Sequence, residues 1–97
     1  MASSKDYLDY VLELLREVKN VTYKRMMGEY ILYKDDIIFG GVYDNRFLVK
    51  KTKSLIEYEL KDAIPFPGAH PMLLIDSENS DEIRDIVNLV IKDIKEG

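Results

Sequence analysis

Apolar residues recur along this chain with two distinct periods. Leu8, Val11, Leu12, Leu15 and Val18 return every three or four residues, the spacing of one helix face, and predict a helix over 4–19. Ser3 or Ser4 can cap its start, Asp6 and Asp9 suit the positive end of its dipole, and Asn20 is a natural stop. From 21 to 51 the period drops to two and Tyr, Ile, Val and Phe dominate, which predicts strands. Two-residue turns at Gly28-Glu29, Asp35-Asp36 and Asp44-Asn45 divide this region into strands over 21–27, 30–34, 37–43 and 46–51. A leading Gly suits a type II′ turn, and Asp and Asn tolerate the positive φ of type I′. Leu55, Ile56 and Leu60 suggest a short helix over 53–63 with these residues buried. Three prolines make 65–71 an irregular connector. Met72 to Ile75 reads as a buried fifth strand. Ile83, Ile86, Val87, Val90, Ile91 and Ile94 form the apolar face of a helix over 80–95, capped by Asn79 or Ser80. The expected fold class is α+β, a single domain over 1–97. An antiparallel meander of about five strands carries an N-terminal helix, a short middle helix and a C-terminal amphipathic helix.

The adjacent Gly40 and Gly41 need a reason, because glycine weakens a strand interior. With the three turns as assigned, Gly40 falls between Ile31 and Val49. It shares a face with Met26, Tyr33, Ile38, Val42 and Phe47, the expected core side, and its bare backbone suits the close approach of a helix. The other face carries Gly41 between Tyr30 and Leu48, with the Tyr30 ring expected across the glycine. Tyr23, Arg25, Met27, Leu32, Lys34, Ile37, Phe39, Tyr43, Arg46 and Lys50 complete it. That face mixes aromatic and basic groups and is too apolar for plain solvent: either a helix or the Pro-rich connector covers part of it, or it meets a partner, and it is the expected contact surface. Arg25, Tyr30, Phe39, Tyr43, Arg46 and Lys50 are its candidate partner-binding residues. A one-residue change of register would exchange the two faces.

Charge adds one refinement. Fourteen Lys and Arg against eighteen Asp and Glu give −4, which argues against general phosphate-driven nucleic-acid binding. Residues 21–53 nevertheless carry seven basic and four acidic groups, a local +3 beside −7 elsewhere. Stacking of single-stranded bases on Tyr30, Phe39 and Tyr43 beside Arg25, Arg46 and Lys50 is the alternative use of the face. Neither a secretory signal nor a membrane-length apolar run is present, and the expected location is the cytoplasm.

Catalytic chemistry finds little footing. Cysteine is absent and His70 is the only histidine, so thiol catalysis, thiolate metal sites and a histidine triad lack their parts. Gly40-Gly41 is followed by no Lys-Ser/Thr pair and no helix start, so it is no phosphate loop. No catalytic, metal or cofactor residue is assigned.

Three segments together resemble the N-terminal domain of the TfoX/Sxy competence-regulator family. They are Tyr23-Lys24-Arg25-Met26-Met27-Gly28-Glu29-Tyr30, then Phe39-Gly40-Gly41-Val42-Tyr43-Asp44-Asn45-Arg46, then Pro67-Gly68-Ala69-His70-Pro71-Met72. The resemblance implies an α+β fold with flanking helices and a regulatory, non-enzymatic role in a bacterial setting. Full-length relatives promote transcription of DNA-uptake genes and carry a second, helical, DNA-binding-like domain. This chain ends at Gly97 and is expected to lack that domain. The expected function is therefore regulation by protein–protein contact, linked to transcription or competence. The expected partner is a transcription regulator or a second copy of the chain.

Overall fold

The computed structural model describes residues 2–97. Helix α1 spans Lys5–Leu14, with the Ser4 hydroxyl accepting from the Tyr7 amide at its start. It ends five residues earlier than its apolar stripe suggests, because the chain tightens: the Val18 amide bonds the Leu15 carbonyl at 2.9 Å. Leu15 and Val18 still reach the core, and Asn20 ends the segment at φ 63°.

The sheet has six strands in the spatial order β1-β2-β3-β4-β6-β5, all pairs antiparallel. They are β1 Val21–Met26, β2 Glu29–Lys34, β3 Ile37–Val42, β4 Phe47–Val49, β5 Asp62–Ala63 and β6 Met72–Leu74. The first four form the expected meander. A 3₁₀ helix at Lys53–Tyr58 replaces the longer middle helix. Glu59 breaks it in the left-handed region at φ 53°, which frees Asp62 and Ala63 to add an edge strand. Leu55 is buried there, but Ile56 is 81% exposed rather than part of the core. Helix α2, Ser80–Glu96, is capped as expected: the Asn79 side chain accepts from the amides of Asp81 and Glu82 at 3.0 and 3.1 Å.

Two local features set the faces of the sheet. The first hairpin turns at Met27-Gly28, not Gly28-Glu29. Met27 and Gly28 take φ 53° and 82°, the type I′ pattern, and Glu29 is left in the strand opposite Met26. There its carboxylate accepts from the Ser3 hydroxyl at 2.6 Å and the Asp44 amide at 3.2 Å. That change moves the β1–β2 pairing by two residues, so sidedness survives. The second feature does not spare it. Between β2 and β3 the pairing runs Tyr33 to Ile38, then Leu32 to Gly40. Phe39 is the unpaired residue of a β-bulge, and beyond it every partner is displaced by one position.

The bulge brings Tyr30, Leu32, Phe39, Val42, Phe47 and Val49 into one core with Leu8, Val11, Ile83, Ile86, Val87 and Val90. Both helices therefore cover the same side of the sheet. A buried carboxylate ties α2 to the 3₁₀ helix. Asp93, 8% exposed, accepts from the Ser54 hydroxyl at 2.6 Å and the Ser54 amide at 2.9 Å. These bonds, the hydroxyl's first, hold its pKa below the ordinary carboxylate value.

Candidate functional site

With both helices on one side, the opposite face of the sheet is left to a thin cover from the Pro-rich connector. Lys24, Met26, Ile31, Tyr33, Ile38, Tyr43 and Leu48 belong to this face by the register of β1 to β4. The Tyr43 ring lies against Gly41: a Cβ there would sit 2.6 Å from the ring's Cε2 and 2.6 Å from the Tyr30 carbonyl oxygen. It is the Tyr43 ring, not that of Tyr30, which occupies the gap. Phe66 follows, its ring 6.3 Å from that of Tyr43 and tilted by 50°. Arg46 anchors this cover. Its guanidinium donates to the carbonyls of Tyr43 at 3.2 Å and of Ile64 at 2.9 Å.

Gly40 serves a different need. A side chain there would strike the Leu48 carbonyl and lie 2.9 Å from the Val49 Cα. The close approach is that of the neighbouring strand β4, not of a helix.

Between the connector and the tip of the first hairpin lies a cleft of about 580 Å³, lined by Ala2, Met26, Met27, Ile31, Tyr43 and Phe66, with Glu29 at its edge. Its volume is that of sites that enclose small ligands or a few partner side chains. The rim is apolar and wet: Met26 is 49% exposed, Phe66 56% and Met27 97%. Met27 is unusual twice over. It occupies a left-handed turn position that ordinary L-residues avoid, and it presents an unshielded apolar side chain there. The other two hairpin turns place Asp35-Asp36 and Asp44-Asn45 at such positions, residues that accept positive φ readily. Burial raises the Tyr43 phenol above its ordinary pKa, with the Glu29 charge adding to the effect.

The six residues grouped by the sequence do not form one surface. Tyr30 is 5% and Phe39 0% exposed, inside the helix-side core. Arg25 pairs with Tyr30 and lies on the helix side of the edge strand. Tyr43, Arg46 and Lys50 fall on the opposite, open side, where Arg46 is occupied in holding the connector. The extra residue at Phe39 exchanged the faces of β1, β2 and the start of β3, while the assignment from Gly40 onward stands. A stacking platform built on Tyr30 and Phe39 is thereby absent. The residues that sequence reasoning set aside are Met26, Ile31, Ile38 and Phe66. Their signals were the Met-Met-Gly run, where the Gly suits the second position of a type I′ turn, and the strand glycines, which often mark a bulge.

Comparison with known proteins fits this architecture. The TfoX N-terminal domain family model matches residues 13–71, from the end of α1 through the meander to the connector. The chain belongs to the TfoX N-terminal domain family. This is a competence-associated regulatory family, not a known enzyme family. The chain is also similar to the uncharacterized 12.7 kDa protein in the trpE 5′ region of Spirochaeta aurantia. The two are 31% identical over 93 residues, covering 92% of this chain and 81% of that protein. No helix among the described residues is long and apolar enough to cross a membrane.

Proposed function

We propose that this TfoX N-terminal domain is a non-enzymatic regulatory module of the cytoplasm that works by binding another protein, a component of transcription control. The contact surface is the open sheet face around the Met26, Met27, Ile31, Tyr43 and Phe66 cleft. One observation carries the reading: Met27, 97% exposed, sits at a strained turn beside an apolar cleft that neither helix covers. Solvent alone gives no reason for that arrangement, whereas a partner's apolar side chains would close it. Methionines suit such a task because their flexible side chains adapt to a range of shapes.

The test is quantitative capture from native cell extract with the parent chain and with a Met26→Thr, Phe66→Ser chain. The reading expects a protein retained by the parent and lost by the variant, with both chains melting alike. Equal retention by the two would remove the cleft from consideration. A parent chain that sediments as a concentration-dependent dimer, lost in the variant, would instead give this face to a second copy.

A further inference from the structure

The two edges of the sheet are treated very differently. At one edge β5 is two residues long, Asp62 is held by Lys51 at 2.9 Å, and the chain leaves through Ile64 and Pro65. Short length, paired charge and proline are the usual means of blunting an edge. At the other edge β1 runs six residues without a bulge or proline. All of Thr22 to Met26 is exposed.

The backbone of β1 has a definite free side. The Asn20 carbonyl accepts from the Asp35 amide, so the alternation of an antiparallel ladder turns Thr22, Lys24 and Met26 toward β2. Val21, Tyr23 and Arg25 then present their N–H and C=O outward, away from the sheet. Another strand could take these groups up without disturbing any existing bond.

Side chains state which strand would fit. Lys24 and Arg25 lie on opposite faces of β1 and have no ion-pair partner among the described residues. Val21–Met26 contains no acidic residue. The nearest one across the hairpin, Glu29, is already engaged by Ser3 and Asp44. On the helix side Tyr23 packs edge-on against Tyr30 at 5.9 Å and offers an apolar shelf. On the open side Met26 leads into the cleft. A second copy pairing β1 with itself would gather four cations, Lys24 and Arg25 of each chain, on one short ladder with no acidic residue in either strand, which like charges oppose. The same two cations attract an acidic strand.

Resting on the reading that this domain binds a protein, we propose that β1 is a docking edge for an extended acidic segment of the partner. The segment adds a seventh strand, with carboxylates beside Lys24 and Arg25 and β-branched or apolar residues beside Tyr23 and Met26. Main-chain bonds to Val21, Tyr23 and Arg25 supply the pairing, and the charges set the choice of partner.

The experiment is selection of a phage-displayed library of random dodecapeptides on the immobilised full chain, followed by amide exchange of the chain with the best synthetic peptide. The expected result is a consensus alternating Asp or Glu with β-branched residues, and slowed exchange at Val21, Tyr23 and Arg25. Lys24→Glu with Arg25→Glu should weaken the peptide about tenfold, two exposed ion pairs turned to repulsion. Tyr23→Pro, which removes one outward donor, should abolish binding. Apolar peptides that shift Tyr43 and Phe66 but leave β1 exchange unchanged would overturn the docking edge and leave the protein-binding reading standing. Absence of any enriched peptide would overturn it as well. So would β1 amides that become protected with rising protein concentration alone, since the occupant would then be a second copy.

Discussion

Replacing Met27 with Asn separates what the first hairpin needs for folding from what it offers a partner. Met27 holds φ 53° and is 97% exposed, so the parent side chain contributes almost no packing to the fold. A left-handed conformation costs an ordinary L-residue about 1 kcal/mol, and Asn, bonding to its own backbone, bears less of it. Asn before Gly28 is also the favoured type I′ pair. The variant should therefore gain about 0.5–1 kcal/mol of stability. For a domain of this size that corresponds to a melting temperature higher by roughly 3–6 °C, readable by circular dichroism. Binding should move the other way. Full burial of a methionine against a partner is worth about 1.5–3 kcal/mol, so loss of the side chain should weaken capture roughly ten- to a hundredfold. A protein both more stable and weaker in binding cannot arise from general damage to the fold. A melting temperature that falls would refute the strain argument. A rise in melting temperature with unchanged capture would refute the role of Met27 as a contact.

Two further outcomes test the fold that positions this surface. Gly40→Ala forces a Cβ into the β4 backbone and should cost about 3 kcal/mol by urea unfolding; a loss under about 1 kcal/mol would show that the strands can part there. Asp93 has its pKa lowered by the Ser54 hydroxyl and amide, so the folded state binds this proton less readily than the unfolded chain. Its contribution is present above the ordinary carboxylate value of 3.8 and is lost as pH falls through the lower folded value. The parent's melting temperature should drop on acidification below about pH 4. Asp93→Asn should melt lower at neutral pH and change less across that acidic range, and parallel profiles would contradict the assignment.

Local sequence chemistry determined a large part of this protein. The apolar stripe of α2, the Asn79 cap and the turns at Asp35-Asp36 and Asp44-Asn45 lie where periodicity and side-chain preference put them. Each depends on residues only a few positions apart. The three quoted segments were also enough to point to the family. What the chain could not disclose alone was the sidedness of the sheet. The bulge at Phe39 exists because the Tyr30, Leu32, Phe39 and Val42 side chains must all meet α1 and α2, a demand made by elements that lie far off in the chain, α2 beginning only at Ser80. One extra residue in β3 reverses every side chain before it relative to those after it. Tyr30 and Phe39 thus went inside, and Met26, Ile31 and Ile38 came out. Likewise, nothing local says that both helices choose the same side; only their joint packing on that bulged core leaves the other face uncovered.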